Sequence, residues 1–444
     1  MKLNFSTPQN LLVGSFASFI ILGTFILWLP ISHGRSSVSF VDALFTTTSA
    51  VCVTGLAVVD TGLDYSTFGQ VIILLLIQGG GLGVMTFAGL AAMLFGHRLS
   101  LSSQYIVSDT FLQRDATDQF KYIFFGILKI VALIESIGAL LLFLFLIKHE
   151  PVLDAAYSAI FHSISAFCNA GFSIYSNNLV DVGHNFGFIG VIMILIILGG
   201  LGHITLIEIW RKVTHTPTTQ SMRFSFHSRL VLGISAFLIV TGALGIMCLN
   251  SFTIGTEFFE KFYYHALFQS VSARTAGFNT VDLGKWSPAP LFLVMILMFI
   301  GGSPSSCAGG VKTTTTGIWI SRLWCRLIGR SDTVMFGRTI SVETVRHVSV
   351  IFALALIWNV FGILVMLATE AGHASMQDIA FEHISAFGTV GLSTGITSKL
   401  TNFGKLWISL TMFIGRLGPL TLALWMLKTD KEKVLYPDVK VMIG

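Results

Sequence analysis

Four segments of the sequence repeat one pattern, and this repetition limits the possible folds more than any other feature. Each segment has a phenylalanine, three further residues, a serine and an alanine, then a short gap, a glycine and an apolar residue. The segments are FTTTSAVCVTGL from Phe45, FHSISAFCNAGF from Phe161, FQSVSARTAGF from Phe268 and FEHISAFGTVGL from Phe381. They recur about every 110 residues, which indicates four copies of one structural unit.

Long apolar runs stand on both sides of every repeated segment. Hydrophobic residues make up 53% of the chain and charged residues only 11%, whereas a soluble globular protein is about 25% charged. Runs near 11–30, 68–95, 122–147, 185–209, 230–249, 288–328, 348–368 and 404–427 predict eight membrane spans, of which the sixth is broken. The repeated segments are half apolar but too polar to span, so we expect them to enter the membrane and turn back.

The same unit accounts for the whole chain. We assign residues 1–98, 99–215, 216–335 and 336–444 to the first, second, third and fourth repeats. The second span of each repeat carries a glycine cluster. The clusters are IQGGGLG from Ile77, LGGLGHI from Leu198, IGGSPSS from Ile300 and IGRLGPL from Ile414. Each repeat is thus predicted to hold a span, a pore loop made of a half-helix and a glycine turn, and a second span.

The four turns predict a pore, because irregular main chain at membrane depth is tolerated only where protein buries it or where it lines a watery cavity. Four turns around one axis satisfy this condition together, and their carbonyl oxygens can replace the water shell of a cation. The half-helices also point their partly negative C-terminal ends towards the axis. We therefore predict an all-α membrane protein with four pseudo-symmetric span–pore-loop–span repeats around one central pore, as in potassium channels.

The turns themselves form the predicted ion-binding filter. Glycine supplies main-chain dihedral angles that other residues disfavour. The fourth turn, Thr389-Val390-Gly391, matches the opening of the potassium-channel signature TVGYG. The candidate filter residues are Val53, Thr54, Gly55, Asn169, Ala170, Gly171, Thr275, Ala276, Gly277, Thr389, Val390 and Gly391.

Lysine and arginine concentrate in the connectors between repeats and in the tails. They include Arg98, Arg114, Lys121, Arg211, Lys212, Arg223, Arg229, Arg322, Arg326, Arg330, Arg338, Arg346, Lys428, Lys431 and Lys433. Because positive residues favour the cytoplasmic side, we expect a multi-pass protein of the cell membrane with both termini in the cytoplasm and the turns outside. Asp60, Asp64, Asp181 and Asp282 near the outer mouth either raise the local cation concentration or are ordinary loop charges.

The second span of the third repeat breaks after Pro288–Ile300. This run covers roughly 20 Å as a helix, whereas the hydrocarbon core needs roughly 30 Å, so the break falls at membrane depth. We predict that the small residues that follow block the pore below the filter as a gate, with Lys312 at their inner end and Arg416 at the matching height of the fourth repeat. The candidate gate residues are Gly301, Gly302, Ser303, Pro304, Ser305, Ser306, Cys307, Ala308, Gly309, Gly310, Lys312 and Arg416. The alternative is a glycine–serine hinge with an arginine that reaches the membrane surface.

Nothing in the sequence assembles an enzyme active site. GSPSSCAGGVKTT resembles a phosphate-binding loop, but Val311 separates the glycine from Lys312 and no βαβ pattern surrounds it. We expect no cofactor in this chain and no disulfide or metal at its cysteines. Glu135 and Glu208 either carry protons in a coupled transporter or are paired structural residues, and Arg274 is expected to brace the third turn.

Two motifs are specific enough to suggest a family. ARTAGFN at Ala273–Asn279 and IGRLGPLT at Ile414–Thr421, within the fourfold plan, resemble the Trk/Ktr/HKT potassium transporters over essentially the whole chain. The size is most like that of the bacterial Ktr membrane subunit. The resemblance implies potassium as the substrate, because glycine in the first turn, here Gly55, accompanies potassium preference in this family and serine accompanies sodium preference.

The resemblance also implies partners. Family members form homodimers in which each protomer has its own pore, and the C-terminal YPDVKVMIG resembles the tail that packs at the dimer contact. A cytosolic ring of nucleotide-binding RCK subunits of the KtrA type would regulate the pore, so ATP or ADP would be bound by that partner and not by this chain. We expect membrane lipid around the protein and no nucleic-acid partner.

Three transport modes remain open at this point. The chain is a channel-like potassium uptake subunit, with or without sodium dependence; or a symporter in which sodium or protons drive the cation; or a family member permeable to sodium or ammonium. Flux at a fixed potassium gradient, with sodium added or removed, separates the first two.

The charge asymmetry generates a prediction of orientation. A reporter enzyme that is active only outside the cytoplasm, fused after Gly444, should be inactive, because the C-terminus is expected on the positive, cytoplasmic side. A cytoplasm-active reporter at the same position is the control. Activity of the external reporter would contradict the eight-span arrangement.

Overall fold

The computed structural model describes residues 8–83, 117–214, 224–251, 259–372 and 374–418. Within these ranges the chain forms fourteen α-helices. The first repeat contains α1 Pro8–Trp28, α2 Phe40–Val51 and α3 Thr67–Gly81; the second contains α4 Thr117–Leu146, α5 Val152–Phe167, α6 Phe186–Gly200 and α7 His203–Thr214. The third contains α8 Phe226–Ser251, α9 Phe259–Ser272, α10 Pro288–Phe299 and α11 Thr313–Leu327; the fourth contains α12 Val342–Thr369, α13 Met376–Gly388 and α14 Asn402–Leu417.

The short helices α2, α5, α9 and α13 are the predicted half-helices, which we call the pore helices. Each lies between the two spans of its repeat and ends directly before one of the four turns. Two of them begin with the same cap, in which Ser39 and Ser375 accept a hydrogen bond from the main-chain N–H of Asp42 and Asp378. The predicted all-α membrane fold with four repeats is therefore confirmed in its element order.

The second span of the second repeat is not the continuous helix that was predicted. The expected continuous span over 185–209 is wrong, because α6 and α7 meet at 109° after Gly200. Gly202 has a left-handed φ of 85° at this bend. Gly83, directly after the C-cap of α3, has a φ of 85°, and Gly418, the C-cap of α14, has a φ of 87°. The predicted continuations over 84–95 and 419–427 lie outside the described residues. Among the described helices, Phe125–Leu146, Phe226–Ser251 and Val342–Thr369 are each long and apolar enough to cross a membrane alone, and the bent pair would be a fourth.

The glycine clusters have a packing reason. A Cβ on Gly80, Gly199 or Gly415 would lie closer than 3.0 Å to the carbonyl oxygen of the last or near-last residue of the pore helix in the same repeat. These oxygens belong to Val51, Phe167 and Phe387. Only glycine lets the second helix approach the pore-helix end so closely. In the third repeat the chain leaves the helix instead, and Gly301 packs on the carbonyl of Gly309.

The repeats pack in a closed cycle. The second helix of each repeat contacts the pore helix of the next: α3 with α5, α6 with α9, α10 with α13 and α14 with α2. The last contact includes a partly buried ion pair of 2.7 Å between Lys405 and Asp42. The fourth repeat thus returns to the first, and the four pore helices surround one axis.

A small hairpin is the exception to the all-α prediction. Strands β1 Val334–Met335 and β2 Arg338–Thr339 pair antiparallel in the connector between the third and fourth repeats. Phe336 and Gly337 join them with φ of 48° and 74°. Two left-handed residues make the type of two-residue turn that suits the twist of a hairpin.

Because of this packing, we expect substitution by alanine to lower the stability of the protein at one helical glycine and not at another. Gly199→Ala should destabilise the protein by about 1–3 kcal/mol, because its methyl group would collide with the Phe167 carbonyl. Gly126→Ala in α4 is the control, because nothing lies within 4 Å of its Cβ position. Thermal unfolding in detergent measures both; equal midpoints would contradict this account of the glycine clusters.

Candidate functional site

The main chain of the four turns has an unusual and repeated conformation. The first residue of each turn is left-handed although it is not glycine: φ is 57° at Val53 and Asn169, 75° at Thr275 and 48° at Thr389. The glycines follow with φ of 93°, 68°, 78° and 94° at Gly55, Gly171, Gly277 and Gly391. The middle residues are not left-handed. The four turns therefore share one pattern of main-chain conformation.

The left-handed conformation has a cost at these positions. Bulky or β-branched residues such as valine and threonine rarely adopt positive φ. Strained main chain of this kind costs about 1–3 kcal/mol per residue and persists where the surrounding structure imposes it. Val53, Thr275 and Thr389 carry this strain, whereas asparagine, here Asn169, adopts positive φ more readily. The shared conformation of the four turns indicates that the surrounding structure imposes it.

The four glycines form a ring. A Cβ on each would lie within 3.0 Å of the carbonyl oxygen of the middle residue in the next turn. Gly55 faces Ala170, Gly171 faces Ala276, Gly277 faces Val390 and Gly391 faces Thr54. The last contact closes the ring in the order of the repeats. The structure therefore brings together all the turn residues that were selected from the sequence.

The serine of the repeated motif holds each turn from behind. Its carbonyl accepts a hydrogen bond from the N–H of the middle residue: 2.7 Å for Ser49 and Thr54, 2.7 Å for Ser165 and Ala170, 2.9 Å for Ser272 and Ala276, and 2.8 Å for Ser385 and Val390. The turns thus have their N–H groups bound behind the ring.

The serine hydroxyls add a second bond to each turn. Those of Ser49 and Ser385 accept from the N–H of Gly55 and Gly391 at 3.0 and 3.1 Å. Ser165 donates to the carbonyl of Phe172 at 2.7 Å, and Ser272 donates to the carbonyl of Phe278. Sequence reasoning did not include these serines among the site residues, although their recurrence in the motif was the available signal.

Outside the ring lies a cavity of about 740 Å³. The residues that follow the turns line it, and they include Asp60, Asp64 and Asp282 but not Asp181. Asp60 accepts from the N–H of Gly62 at 2.8 Å, Asp64 accepts from the N–H of Asp60 at 2.8 Å, and Asp282 pairs with the exposed Lys285. These carboxylates hold the loops in shape and also leave negative charge at the cavity.

Residues 300–312 form a closed loop below the ring. The N–H of Gly301 donates to the carbonyl of Val311 at 2.9 Å, and the N–H of Thr313 donates to that of Gly302 at 3.0 Å, which joins the two ends. A Cβ on Gly309 would collide with the Thr389 side chain of the fourth turn. The hydroxyl of Thr389 has no hydrogen-bond partner among the described residues. The loop thus lies directly beneath the ring.

The loop contacts the other three repeats. Towards the second repeat, the N–H of Ser303 donates to the carbonyl of Gly200 at 3.2 Å, and the N–H of His203 donates to the carbonyl of Ser305 at 2.9 Å. Towards the fourth, the N–H of Gly310 donates to the carbonyl of Gly415 at 3.3 Å. The bend between α6 and α7 is therefore also the place where the loop binds.

Arg416 links the loop to the first repeat. Its guanidinium donates to the carbonyl of Cys307 in the loop and to that of Gly80 at the end of α3. Lys312 donates to the carbonyl of Ala308 within the loop. The structure thus brings together the two cations and the small-residue segment that the sequence placed at one depth.

The remaining sequence candidates have structural partners. Glu135 is buried and accepts from the Gln78 amide at 3.1 Å, and Glu208 accepts from the N–H of Ser225 at 2.6 Å, before the start of α8. Arg274 donates to the Ser235 hydroxyl of α8 at 3.0 Å, so it ties the third turn to its own first span. These contacts favour the structural interpretation of both glutamates.

Comparison with known proteins gives consistent matches. The sequence profile of the TrkH family, described as cation transport proteins, matches residues 1–434. The chain is 37% identical to Ktr system potassium uptake protein B of Bacillus subtilis, over 99% of this chain and 97% of that protein. It is 35% identical to the potassium/sodium uptake protein NtpJ of Enterococcus hirae, over 99% and 97%. The crystal structure of the potassium transporter TrkH from Vibrio parahaemolyticus has a TM-score of 0.70 with 18% identity, over 94% of this chain and 83% of that one.

Proposed function

Because the chain belongs to the TrkH family of cation transport proteins, we propose that it carries potassium into the cell through the ring of four turns. The observation that supports this most directly is the closed ring, in which each glycine lies against a carbonyl of the next turn. A ring of carbonyl oxygens replaces the hydration shell of a cation. The names of two relatives, a potassium and a potassium/sodium uptake protein, agree with this substrate class.

Selection of potassium depends on keeping this ring at one size. Serine carbonyls and hydroxyls fix the turns from behind, so the ring cannot easily contract onto a smaller cation. Glycine stands at the third position of every turn, including Gly55 in the first. The candidate filter residues therefore act together, and the main chain rather than the side chains makes the contacts.

The loop of residues 300–312 is proposed as the gate. It lies directly below the fourth turn, and Arg416 holds it to the first repeat while its own main chain holds it to the second and fourth. A fixed positive charge on the route of a cation opposes its passage, and charges within a membrane are costly enough to be kept mainly for function. Opening requires the Arg416 contacts to break and the loop to leave the axis.

We further propose that a partner protein supplies the opening signal. We propose a homodimer in the cytoplasmic membrane, with both termini inside, that binds a cytosolic ring of nucleotide-binding RCK subunits. The name of the Bacillus subtilis relative refers to a system, which agrees with more than one component. A sodium-dependent or sodium-coupled mode is the second candidate, because the name of the Enterococcus hirae relative includes both ions.

The filter is tested with a matched pair of glycines. Gly391 and Gly372 have φ of 94° and 89°, but a Cβ on Gly391 would meet the Thr54 carbonyl, whereas nothing lies within 4 Å of that on Gly372. Gly391→Ser should lower the preference for potassium over sodium by at least about tenfold, or about 1.4 kcal/mol, or abolish transport. Gly372→Ser should not.

Uptake of radioactive rubidium, a potassium tracer, into liposomes measures this preference in competition with sodium or potassium. Equal selectivity of the two variants, at equal protein content, would contradict the filter. The wild-type protein in the same liposomes, with and without sodium, separates the channel-like mode from the coupled one.

The gate is tested by deletion of Ser303–Gly309 and by Arg416→Ala. Each should raise rubidium flux in the absence of a cytosolic partner, because each removes part of the obstruction. If the loop and the arginine act as one gate, the combined variant should add little to the deletion. The exposed Arg338 supplies a control substitution to alanine. Lower flux in the deletion, with the protein intact, would mean that the segment is a structural hinge.

A further inference from the structure

The pore helix of the fourth repeat contains a buried carboxyl group that takes no part in the proposed mechanism. Glu382 directly follows the motif residue Phe381 and is fully buried. Neither of the ion pairs found in the described part of the chain involves it. A buried carboxyl group is costly unless it is well hydrogen-bonded, so its contacts should explain why it stands there.

Its contacts reach the outer edge of the filter. One oxygen accepts from the Ser393 hydroxyl at 2.8 Å, and the other accepts from the Thr397 hydroxyl. The Ser393 and Thr397 hydroxyl oxygens lie 3.0 Å apart, and the Ser393 hydroxyl also accepts from the N–H of Gly395 at 2.9 Å. Ser393 is the second residue after Gly391 and lines the outer cavity. The carboxyl group therefore joins the pore helix to the chain that leaves the fourth turn.

The second repeat has the same connection with a different residue. His162 directly follows the motif residue Phe161, and Ser173 is the second residue after Gly171. The His162 imidazole contacts the Ser173 hydroxyl through Nε2 at 2.9 Å and the Ser158 carbonyl through Nδ1 at 2.8 Å. The ring also stacks on Tyr175, so its orientation is fixed from several sides.

The other two repeats lack this connection at the same two positions, although in the third repeat His265 of the pore helix contacts the hydroxyl of Thr280, three residues after Gly277, at 2.8 Å. The corresponding pairs are Thr46 with Ala57 and Gln269 with Asn279. Alanine cannot accept or donate through its side chain, and both polar atoms of the Gln269 amide lack a partner among the residues described. Because the ring runs in the order of the repeats, the second and fourth turns stand opposite one another. The connection between the residue after the motif phenylalanine and the second residue after the glycine therefore occurs in two turns that face one another across the ring.

From this placement we infer that Glu382 and His162 are positioning residues for ion selection, each of which fixes the outer end of its turn through a serine two residues beyond the glycine. The inference rests on the proposed potassium filter. The motif serines hold the inner side of every turn, and these two residues hold the outer side of two of them. Without the connection, the carbonyl groups at the outer end of the turn can rotate and accommodate a smaller cation.

Glu370 offers a matched control. It is also fully buried, and it also accepts from a threonine, through the N–H of Thr401 at 3.1 Å and the Thr401 hydroxyl. This pair joins the end of α12 to the start of α14 and does not touch a turn. Loss of Glu370 should therefore reduce stability without changing the filter.

The experiment compares sodium with potassium in competition for rubidium uptake into liposomes of equal protein content. Glu382→Ala should shift the preference towards sodium about tenfold, and Glu370→Ala should leave it unchanged. Glu382→Gln should restore most of the preference, because an amide can still bond to both hydroxyls. The combination Ser393→Ala with Thr397→Val removes the partners and keeps the carboxyl group; it should reproduce the shift and add little to Glu382→Ala.

Two results would overturn the inference. One is unchanged selectivity in both Glu382→Ala and the Ser393/Thr397 variant, with stability lowered as much as in Glu370→Ala. The other is a wild-type protein that takes up no rubidium at all, which would remove the proposed function together with the inference. If Glu382→Ala does not fold, the Ser393/Thr397 variant alone decides, since it leaves the pore helix unaltered.

Discussion

The need to satisfy main-chain polar groups at membrane depth governs this structure. Lipid offers no partner to an N–H or carbonyl group, so chain that leaves a helix must be enclosed by protein or face water. In each turn the N–H of the middle residue bonds to the motif serine, while the glycines place the carbonyl oxygens of successive turns side by side. One repeat could not enclose its own turn. Four of them do so together, and the carbonyl groups of neighbouring turns then lie side by side in one ring.

The second helices connect this ring to the loop beneath it. Gly80, Gly199 and Gly415 let α3, α6 and α14 touch the ends of the pore helices, and the same helices end where the loop is bound. The carbonyls of Gly80, Gly200 and Gly415 accept from Arg416, Ser303 and Gly310. One set of glycine-rich helix ends therefore supports the ring from one side and holds the loop on the other.

The repeated motif and the apolar runs were sufficient to predict the element order and the four half-helices, and the motifs ARTAGFN and IGRLGPLT indicated the family by resemblance. These predictions are confirmed. The assignment of the filter and gate residues stays a prediction, although the structure brings them together. The bend at Gly200 was not predicted, because it lies where a loop of another repeat binds, and that contact between distant segments is not visible in the sequence. The contacts of Glu382 and His162 were not predicted either. Each contacts a serine two residues after the turn glycine, and the first and third repeats have no serine at that position.

The way the glycines meet their neighbours has a consequence for the history of the molecule. Each turn glycine contacts main-chain atoms of the next turn, so at these contacts no side chain of one turn must match a side chain of the next. After duplication, the four turns could diverge in sequence without coordinated changes at these contacts, provided that each kept its glycine and its serine. The turns now begin with valine, asparagine, threonine and threonine, yet they share one conformation. A ring built from four separate chains has to be symmetric; here, each quarter was free to acquire its own residues.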